Sequence, residues 1–258
     1  MVIRRMEPGQ TFARSSPKPR QFGGLLTTVA AENPCRCFTP CPSPVRLRLS
    51  KHSQVNPPMA HKPQSPPPSF KRALIVVGGL LAAMWAVQLL NWLGGRWLEL
   101  DHCGIRPRQF GWLLGIALAP FLHAGWGHLA ANSLPFLVLG LLVIARGEQR
   151  FWMVSAGIVL VGGLGVWLFG RAGTVHVGAS GLVFGYVGYL LAAGVVERSF
   201  VAVGRAVIVV GLYGTILWGV LPYGPGVSWE GHLCGLLAGI GMAILFRPQR
   251  SGGGRRVA

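Results

Sequence analysis

The chain has 258 residues, of which 51% are hydrophobic and only 12% are charged, and its formal net charge is +17. Soluble globular proteins carry about 25% charged residues, so this composition argues against a soluble globular domain. Several apolar runs approach the ~20 residues that cross a bilayer. The basic residues fall in the N-terminal tail and in short loops between apolar runs, which indicates membrane topology rather than a nucleic-acid partner. We therefore predict an all-α, multi-pass membrane protein.

The N-terminal 72 residues differ from the rest of the chain. Residues 1–72 hold 13 of the 19 prolines and 12 of the 24 Lys and Arg residues. This composition buries too little apolar surface to offset the entropy lost on ordering. We predict that residues 1–72 form a disordered cytoplasmic tail. Met59 lies shortly before the first strong apolar run, and a translation start there is a hypothesis that N-terminal sequencing would test.

The cysteines do not indicate a metal site or a disulfide framework. Cys35, Cys37 and Cys41 cluster in the tail, but no histidine or fourth cysteine stands at zinc-ligand spacing. Cys103 and Cys234 are isolated in the sequence. We expect neither a metal nor another cofactor.

Six apolar runs predict six membrane-spanning helices within one domain, residues 73–246. A lipid-exposed backbone must satisfy its own hydrogen bonds, so these runs should be helical. The long outer loop 94–126 is partly apolar and is interrupted by Pro120, which predicts a re-entrant or interfacial element. A short basic cytoplasmic tail, residues 247–258, ends the chain. The predicted spans cover residues 73–93, 127–145, 151–169, 180–196, 203–221 and 231–246.

The distribution of Lys and Arg between successive loops predicts the orientation. Basic residues are more frequent in the segments on the side of the N-terminus than in the intervening loops. The positive-inside rule therefore predicts that both termini are cytoplasmic, in the cell (inner) membrane.

Three of the six predicted helices have polar residues in their first turns. With the predicted orientation, the second, fourth and sixth spans all begin at the outer face, and their first turns contain His128 and Asn132, then Ser180, then His232. Polar groups inside a membrane are costly and by default mark function. Because all four lie at the same depth, we expect one polar cluster.

This cluster has the residue types that serine catalysis needs. A serine hydroxyl is a poor nucleophile until a base such as histidine takes its proton, so Ser180 and His232 would form a dyad. His128 and Asn132, spaced i, i+4 on one helix face, could donate with the Ser180 N–H to an oxyanion. The alternative that Asn132 and His128 only satisfy each other or a loop carbonyl stays open.

Glycines favour a close approach between the fourth and sixth spans. Gly181 and Gly185 are four residues apart, and Gly231, Gly235 and Gly239 form a stripe at the same spacing. Such small-residue stripes let helix backbones approach closely. Ordinary helix packing explains them equally well, and the two interpretations are compatible.

Three motifs in this order resemble the rhomboid intramembrane serine proteases: His128-Leu-Ala-Ala-Asn132, Gly178-Ala-Ser180-Gly181 and Gly231-His232-Leu-Cys-Gly235. His123, five residues before His128, fits the same family pattern. The resemblance covers residues 73–246 and implies a six-transmembrane-helix rhomboid-like bundle. It implies cleavage of single-span transmembrane proteins within the lipid bilayer, near its outer boundary.

The resemblance also implies roles for individual residues. Ser180 would be the nucleophile and His232 the general base, while His128, Asn132 and the Ser180 N–H would form the oxyanion hole. Gly178 would keep the approach to Ser180 open. Gly181 and His123 would support the site.

Two departures from the family pattern stand out, and two other functions compete. Phe184 stands where many members have a tyrosine beneath the catalytic histidine, and residues 104–108 (Gly-Ile-Arg-Pro-Arg) occupy the region of a Trp-Arg pair. A catalytically inactive rhomboid-like protein that binds membrane clients is the main alternative. A small transporter is another, but the sequence has no internal inverted repeat.

Overall fold

The structure is a computed structural model and describes residues 2–4, 66–197, 199–222 and 226–247. Within these ranges the chain is built of helices, and the one sheet has two strands of three residues each. The all-α fold predicted from the apolar runs is confirmed.

Eight α-helices follow one another along the described chain. A π-helical turn, Ile158–Gly162, joins α4 to α5 into one continuous helix, and a 3₁₀ segment, Gly214–Val220, extends α7. The helices are α1 Phe70–Gly94, α2 Gly115–Leu118, α3 Trp126–Ile144, α4 Glu148–Gly157, α5 Gly163–Phe169, α6 Ser180–Glu197, α7 Phe200–Tyr213 and α8 Trp229–Leu245.

Five helical segments within the described residues are long and apolar enough to cross a membrane, so this is a multi-pass membrane protein. They are Phe70–Gly94, Trp126–Ile144, Glu148–Phe169, Ser180–Glu197 and Phe200–Val220. The sixth predicted span forms α8, a shorter apolar helix of 17 residues. Each predicted start lies at the observed helix start or within three residues of it.

Helices α3, α6 and α8 begin at the same end of the bundle. At their far ends, Arg146 after α3 forms an ion pair with Glu197 of α6, and its Nε donates to the Tyr189 hydroxyl at 3.1 Å. Arg150 of α4 donates to the Phe246 carbonyl just beyond α8 at 3.4 Å. The opposite end of the bundle, where the three helices start, is called the site end below.

The centre of the bundle is α6, which packs against α3, α7 and α8. Nine successive residues of this helix, Leu182 to Leu190, are buried, and Tyr186 and Tyr189 have exposures of 1% or less. A helix that is buried all round needs apolar residues on every face. The almost uninterrupted apolar sequence of α6 supplies them.

Glycine contacts bring the backbones of α6 and α8 together. A β-carbon at Gly235 would overlap the Gly181 carbonyl, and one at Gly239 would overlap the Gly185 carbonyl. The predicted close approach between these two spans is confirmed. It fixes the first turn of α8 beside the first turn of α6.

The outer loop 94–126 docks against the helices at the site end. Ile105 exchanges two backbone hydrogen bonds with His176, at 3.0 and 2.9 Å. Ile105, Ile116 and Ala119 are buried in one cluster with residues of α5. The Arg106 guanidinium lies 3.7 Å from the centre of the Trp112 ring. The loop thus supports the segment that leads to α6, without the family's Trp-Arg pair.

Two short parts of the predicted tail lie within the described residues, and the prediction that residues 1–72 are disordered stays a prediction. Val2–Arg4 forms β1, which pairs antiparallel with β2, Thr174–His176, because the edge of β2 offers backbone groups for a second strand. Helix α1 already begins at Phe70, and Arg72 pairs with Glu148 at 2.9 Å. Residues 5–65, including Met59, and 248–258 lie outside the described residues.

Candidate active site

Ser180 is the first residue of α6, directly after a turn that only glycine adopts easily. Gly178 has φ +119°, and its N–H donates to the Ala119 carbonyl at 2.9 Å. Residues with a β-carbon rarely adopt this backbone conformation. The turn delivers the Ser180 side chain to the site end.

Gly178 also makes room for the His128 ring. A β-carbon at Gly178 would lie 2.8 Å from His128 Nε2 and would overlap the adjacent ring carbon. The imidazole therefore lies against the backbone two residues before Ser180. His128 Nδ1 is buried and makes no hydrogen bond to any other residue that the structure describes.

Asn132 lies one turn further along α3 and is 8% exposed. Its Nδ2 donates to the His128 carbonyl at 3.0 Å, within the same helix. An amide nitrogen carries two hydrogens, so this bond leaves one donor of Asn132 for another partner.

His232 is oriented by a backbone carbonyl and an aromatic ring. Its Nδ1 lies 2.8 Å from the Gly219 carbonyl oxygen. Because a carbonyl only accepts, we assign the proton to Nδ1, which leaves Nε2 as the unprotonated nitrogen. The ring stacks on Phe184, with 4.2 Å between centroids and an interplanar angle of 6°.

Phe184 determines where the His232 ring lies relative to Ser180. Phe184 and Ser180 are spaced i, i+4 on α6, so they share one helix face. His232, stacked on Phe184, therefore lies over the face that carries Ser180. Among the described residues no hydrogen bond joins Ser180 to His232, and catalytic hydrogen bonds are often long before substrate binds.

His123 supports the turn before Ser180. Its Nε2 accepts a hydrogen bond from the Ala179 N–H at 3.3 Å, and its ring contacts the His128 ring edge-on at 5.1 Å. Burial lowers the pKa of His123 to about 4. The ring is therefore neutral at pH 7, as an acceptor must be.

A cavity of about 60 Å³ lies beside Ser180. Gly178, Ser180 and Gly181 line it from the α6 side, while Ser228 and Gly231 line it from the start of α8. His176 of β2 also lines the cavity. The cavity thus joins the predicted site to polar residues that the sequence motifs do not include.

His176 and Ser228 form a second serine–histidine pair. The Ser228 Oγ lies 2.6 Å from His176 Nδ1, and Thr174 Oγ1 lies 3.0 Å from His176 Nε2. The Thr174 hydroxyl donates its one proton to the Arg171 carbonyl at 2.6 Å, so it accepts from Nε2–H. His176 Nδ1 is consequently the acceptor for the Ser228 hydroxyl. Burial lowers the pKa of His176 to about 4.

An ion pair between the exposed Arg171 and the buried Glu230 lies next to this second pair. Arg171 Nε donates to Glu230 Oε1 at 2.7 Å, and Arg171 Nη2 donates to the Val227 carbonyl at 3.1 Å. Glu230 is 3% exposed. Sequence reasoning missed these contacts, although the polar stretch 171–176 directly before the serine motif was a signal for them.

The described residues contain no group of three His, Cys, Asp or Glu side chains that could hold a metal ion. The site end brings together three hydroxyl groups, of Thr174, Ser180 and Ser228, and four imidazoles, of His123, His128, His176 and His232.

Comparison with known proteins gives one consistent family. A family model, the Rhomboid domain, matches residues 111–249. An uncharacterized protein of Mycobacterium tuberculosis (strain ATCC 25618 / H37Rv) is 40% identical over 223 residues, which cover 81% of this chain and 92% of that protein. A Bacillus subtilis (strain 168) protein that carries the provisional name of rhomboid protease is 38% identical over 95 residues, 33% of this chain and 48% of its own. RHOMBOID-like protein 1 of Arabidopsis thaliana is 33% identical over 50% of this chain and 34% of its own.

Proposed function

The chain belongs to the rhomboid family, and we propose that it is an intramembrane serine endopeptidase. The observation that carries this proposal is the orientation of His232. Its Nδ1 is held by the Gly219 carbonyl, its ring is stacked on Phe184, and its Nε2 is left to act as a base on the face that carries Ser180.

Acylation would begin at Ser180. The Oγ attacks the carbonyl carbon of the scissile peptide bond while His232 Nε2 takes the hydroxyl proton. When the C–N bond breaks, the same proton passes from Nε2 to the leaving amine. The Gly219 carbonyl plays the orienting part that an Asp has in other serine hydrolases, and it also stabilises the imidazolium through Nδ1–H.

Deacylation would repeat this chemistry with water. His232 Nε2 takes a proton from a water molecule, the hydroxide attacks the acyl carbonyl carbon, and the C–O bond to Ser180 breaks. The proton on Nε2 then returns to the serine oxygen. The small cavity beside Ser180 would admit water to this step.

The negative charge on the carbonyl oxygen would be held by three donors. The Ser180 N–H stands at an open helix N-terminus. Asn132 has one amide hydrogen left after its bond to the His128 carbonyl, and His128 presents its ring against Gly178. Donors arranged in advance around a developing oxyanion give the largest single contribution in many enzymes.

The substrates would be single-span transmembrane proteins. All the helices that carry the site begin at one end of the bundle, so the site lies near one membrane boundary. With the predicted orientation, in which the C-terminus is cytoplasmic, this is the outer boundary of the cell (inner) membrane. Peptide cleavage would occur where a substrate helix unwinds near that boundary.

Cleavage of a helix-destabilised, single-span substrate by the purified protein in liposomes tests the proposal. We expect Ser180→Ala and His232→Ala each to abolish cleavage, because neither the nucleophile nor the base has a substitute. Cleavage that survives Ser180→Ala would contradict the serine mechanism. Absence of cleavage across a panel of substrates by the wild-type protein would support the inactive rhomboid-like alternative.

A further inference from the structure

Two segments of the chain lead to the proposed catalytic residues. Polar side chains connect these two segments to each other just before Ser180 and His232. The first segment, residues 171–176, leads through the Gly178 turn to Ser180. The second, residues 227–230, leads directly into the turn of α8 that carries His232. Any movement between these two segments changes the distance from Ser180 to His232.

Three hydrogen bonds cross between the segments. Ser228 donates to His176 Nδ1 at 2.6 Å, and Arg171 donates to Glu230 at 2.7 Å and to the Val227 carbonyl at 3.1 Å. Ser228, His176 and Glu230 have exposures of 3–4%. The Ser228–His176 hydrogen bond is buried, and buried polar groups are costly to leave unpaired, so the segments separate with difficulty.

Each side of this connection is fixed to the rest of the fold. The His176 backbone exchanges two hydrogen bonds with Ile105 of the outer loop, and its Nε2 is held by Thr174. On the other side, the Ser228 carbonyl accepts the backbone N–H of His232 itself, at 3.1 Å. Ser228 therefore binds β2 through its side chain and the proposed general base through its backbone.

The glycine before His232 fits this arrangement. A β-carbon at Gly231 would lie 2.7 Å from the Ser228 Oγ. Space for the Ser228 hydroxyl thus explains why the residue at position 231 has no side chain. His232 follows immediately in the chain.

We propose that Ser228 and His176 are positioning residues, a latch that sets the distance between Ser180 and His232. This inference rests on the proposed peptidase function. Ser228 is not the nucleophile in this proposal, because Ser228 and His176 are only 4% and 3% exposed, whereas Ser180 and His232 are partly exposed. The latch instead holds the geometry in which Ser180 and His232 exchange a proton.

The first test compares Ser228→Ala with Ser155→Ala in the cleavage assay. Ser155 is a matched control, because its buried hydroxyl also bonds an aromatic partner, the Tyr186 hydroxyl at 2.7 Å, away from the cavity. We expect Ser228→Ala to lower kcat about tenfold, the rate equivalent of one hydrogen bond, with KM within about twofold. Ser155→Ala should lower the melting temperature to a similar extent and leave kcat unchanged. Equal kcat values for the two variants would overturn the latch.

Substitutions at His176 and Gly231 sharpen this test. Asn offers a carbonyl oxygen close to the place of Nδ1, so His176→Asn should keep more of kcat than His176→Leu. Gly231→Ala, which crowds the Ser228 hydroxyl, should reproduce the loss seen in Ser228→Ala. An equal loss in His176→Asn and His176→Leu would contradict an acceptor role for His176.

A second arm does not need peptidase activity. In a Ser180→Cys chain, the rate at which iodoacetamide alkylates the introduced thiol, located by peptide mass spectrometry, reports its pairing with His232. We expect adding Ser228→Ala to slow this reaction at pH 7, whereas adding Ser155→Ala should not. An unchanged alkylation rate would overturn the latch, whether or not the wild-type protein cleaves a substrate. Failure of the wild-type protein to cleave any substrate would contradict only the peptidase proposal. Cleavage by Ser180→Ala that is lost in Ser180→Ala/Ser228→Ala would overturn both proposals and assign Ser228 as the nucleophile.

Discussion

Two serine–histidine pairs lie at the site end, and they differ in how completely the histidine is bonded. His176 has a partner at each ring nitrogen, Ser228 at 2.6 Å and Thr174 at 3.0 Å. His232 has one partner, the Gly219 carbonyl, and its second nitrogen makes no hydrogen bond within the described residues. The shorter Ser–His contact therefore belongs to the pair that we assign a structural role.

This difference does not by itself decide which serine is the nucleophile, because the histidine of a serine triad is also bonded at both ring nitrogens. Exposure separates the two pairs. Ser228 and His176 are 4% and 3% exposed, whereas Ser180 and His232 are partly exposed. Hydrogen-bond distance alone would select Ser228, whereas access for a substrate selects Ser180.

The largest effect that tests this comparison is expected from Gly219→Ala. A β-carbon at Gly219 would lie 2.9 Å from the Phe184 ring and 3.2 Å from His232 Nδ1. It would displace the carbonyl bond and the stacked ring together, so we expect kcat to fall by about 10²-fold or more, the contribution of a positioned general base. Cleavage kinetics in liposomes would measure it.

Gly211→Ala is the control for that substitution. Gly211 lies in α7, and a β-carbon there would meet no other atom within 4 Å, so its kcat should stay at the wild-type value. If Gly219→Ala also left kcat unchanged, the carbonyl would not orient His232.

The helices could be predicted from the sequence because each is an apolar run of bilayer length. The start of α6 at Ser180 agreed with the prediction, since the polar stretch before it and the apolar run after it mark the boundary clearly. The contacts of Gly181 with α8 also followed from the spacing of small residues. These features depend on patterns within one or two segments.

The orientation of His232 and the second pair could not be predicted in this way. Gly219 acts through a backbone carbonyl, a group that every residue has, so no residue type marks it. Ser228 and His176 are 52 residues apart, and their contact depends on the paths of two loops that no hydrophobic pattern defines. The pairing of Val2–Arg4 with β2 is equally a matter of backbone geometry.

His176, the histidine bonded at both nitrogens, should also make the stability of the folded protein depend on pH. Burial lowers the pKa of His176 to about 4, from a value of about 6.5 in an unfolded chain. Between these pH values the unfolded chain therefore binds more protons at His176 than the folded chain does. The contribution of His176 to the free energy of unfolding is fully present above about pH 7 and is lost as the pH falls toward 4. Between pH 7 and 5 this linkage amounts to about 2 kcal/mol for one such histidine.

Thermal unfolding in detergent at pH 7 and pH 5 would measure this dependence. We expect the melting temperature of the wild-type protein to fall at pH 5, and that of His176→Asn to fall less, because asparagine does not titrate. Gly211→Ala, which removes no titratable group and meets no other atom within 4 Å, is the control and should retain the wild-type dependence. A wild-type dependence in His176→Asn would mean that His176 is not held neutral by burial.

The smallest effect concerns the ring beneath His232, where this chain has Phe184 in place of the tyrosine that we noted as common in the family. The stacked geometry, 4.2 Å between centroids, requires a ring but not a hydroxyl. A stacked aromatic pair contributes about 0.5–1.5 kcal/mol beyond its buried area. We therefore expect Phe184→Leu to lower kcat by about 2–10-fold.

Phe184→Tyr separates the ring from the hydroxyl in the same cleavage assay. It keeps the stack, so its kcat should stay within about twofold of the wild-type value. A loss in Phe184→Tyr as large as in Phe184→Leu would show that the space beneath His232 matters more than the stack. Equal activity of the wild type, Phe184→Leu and Phe184→Tyr would leave the Gly219 carbonyl as the group that orients His232. The difference between His232 and the doubly bonded His176 would then depend on that single hydrogen bond.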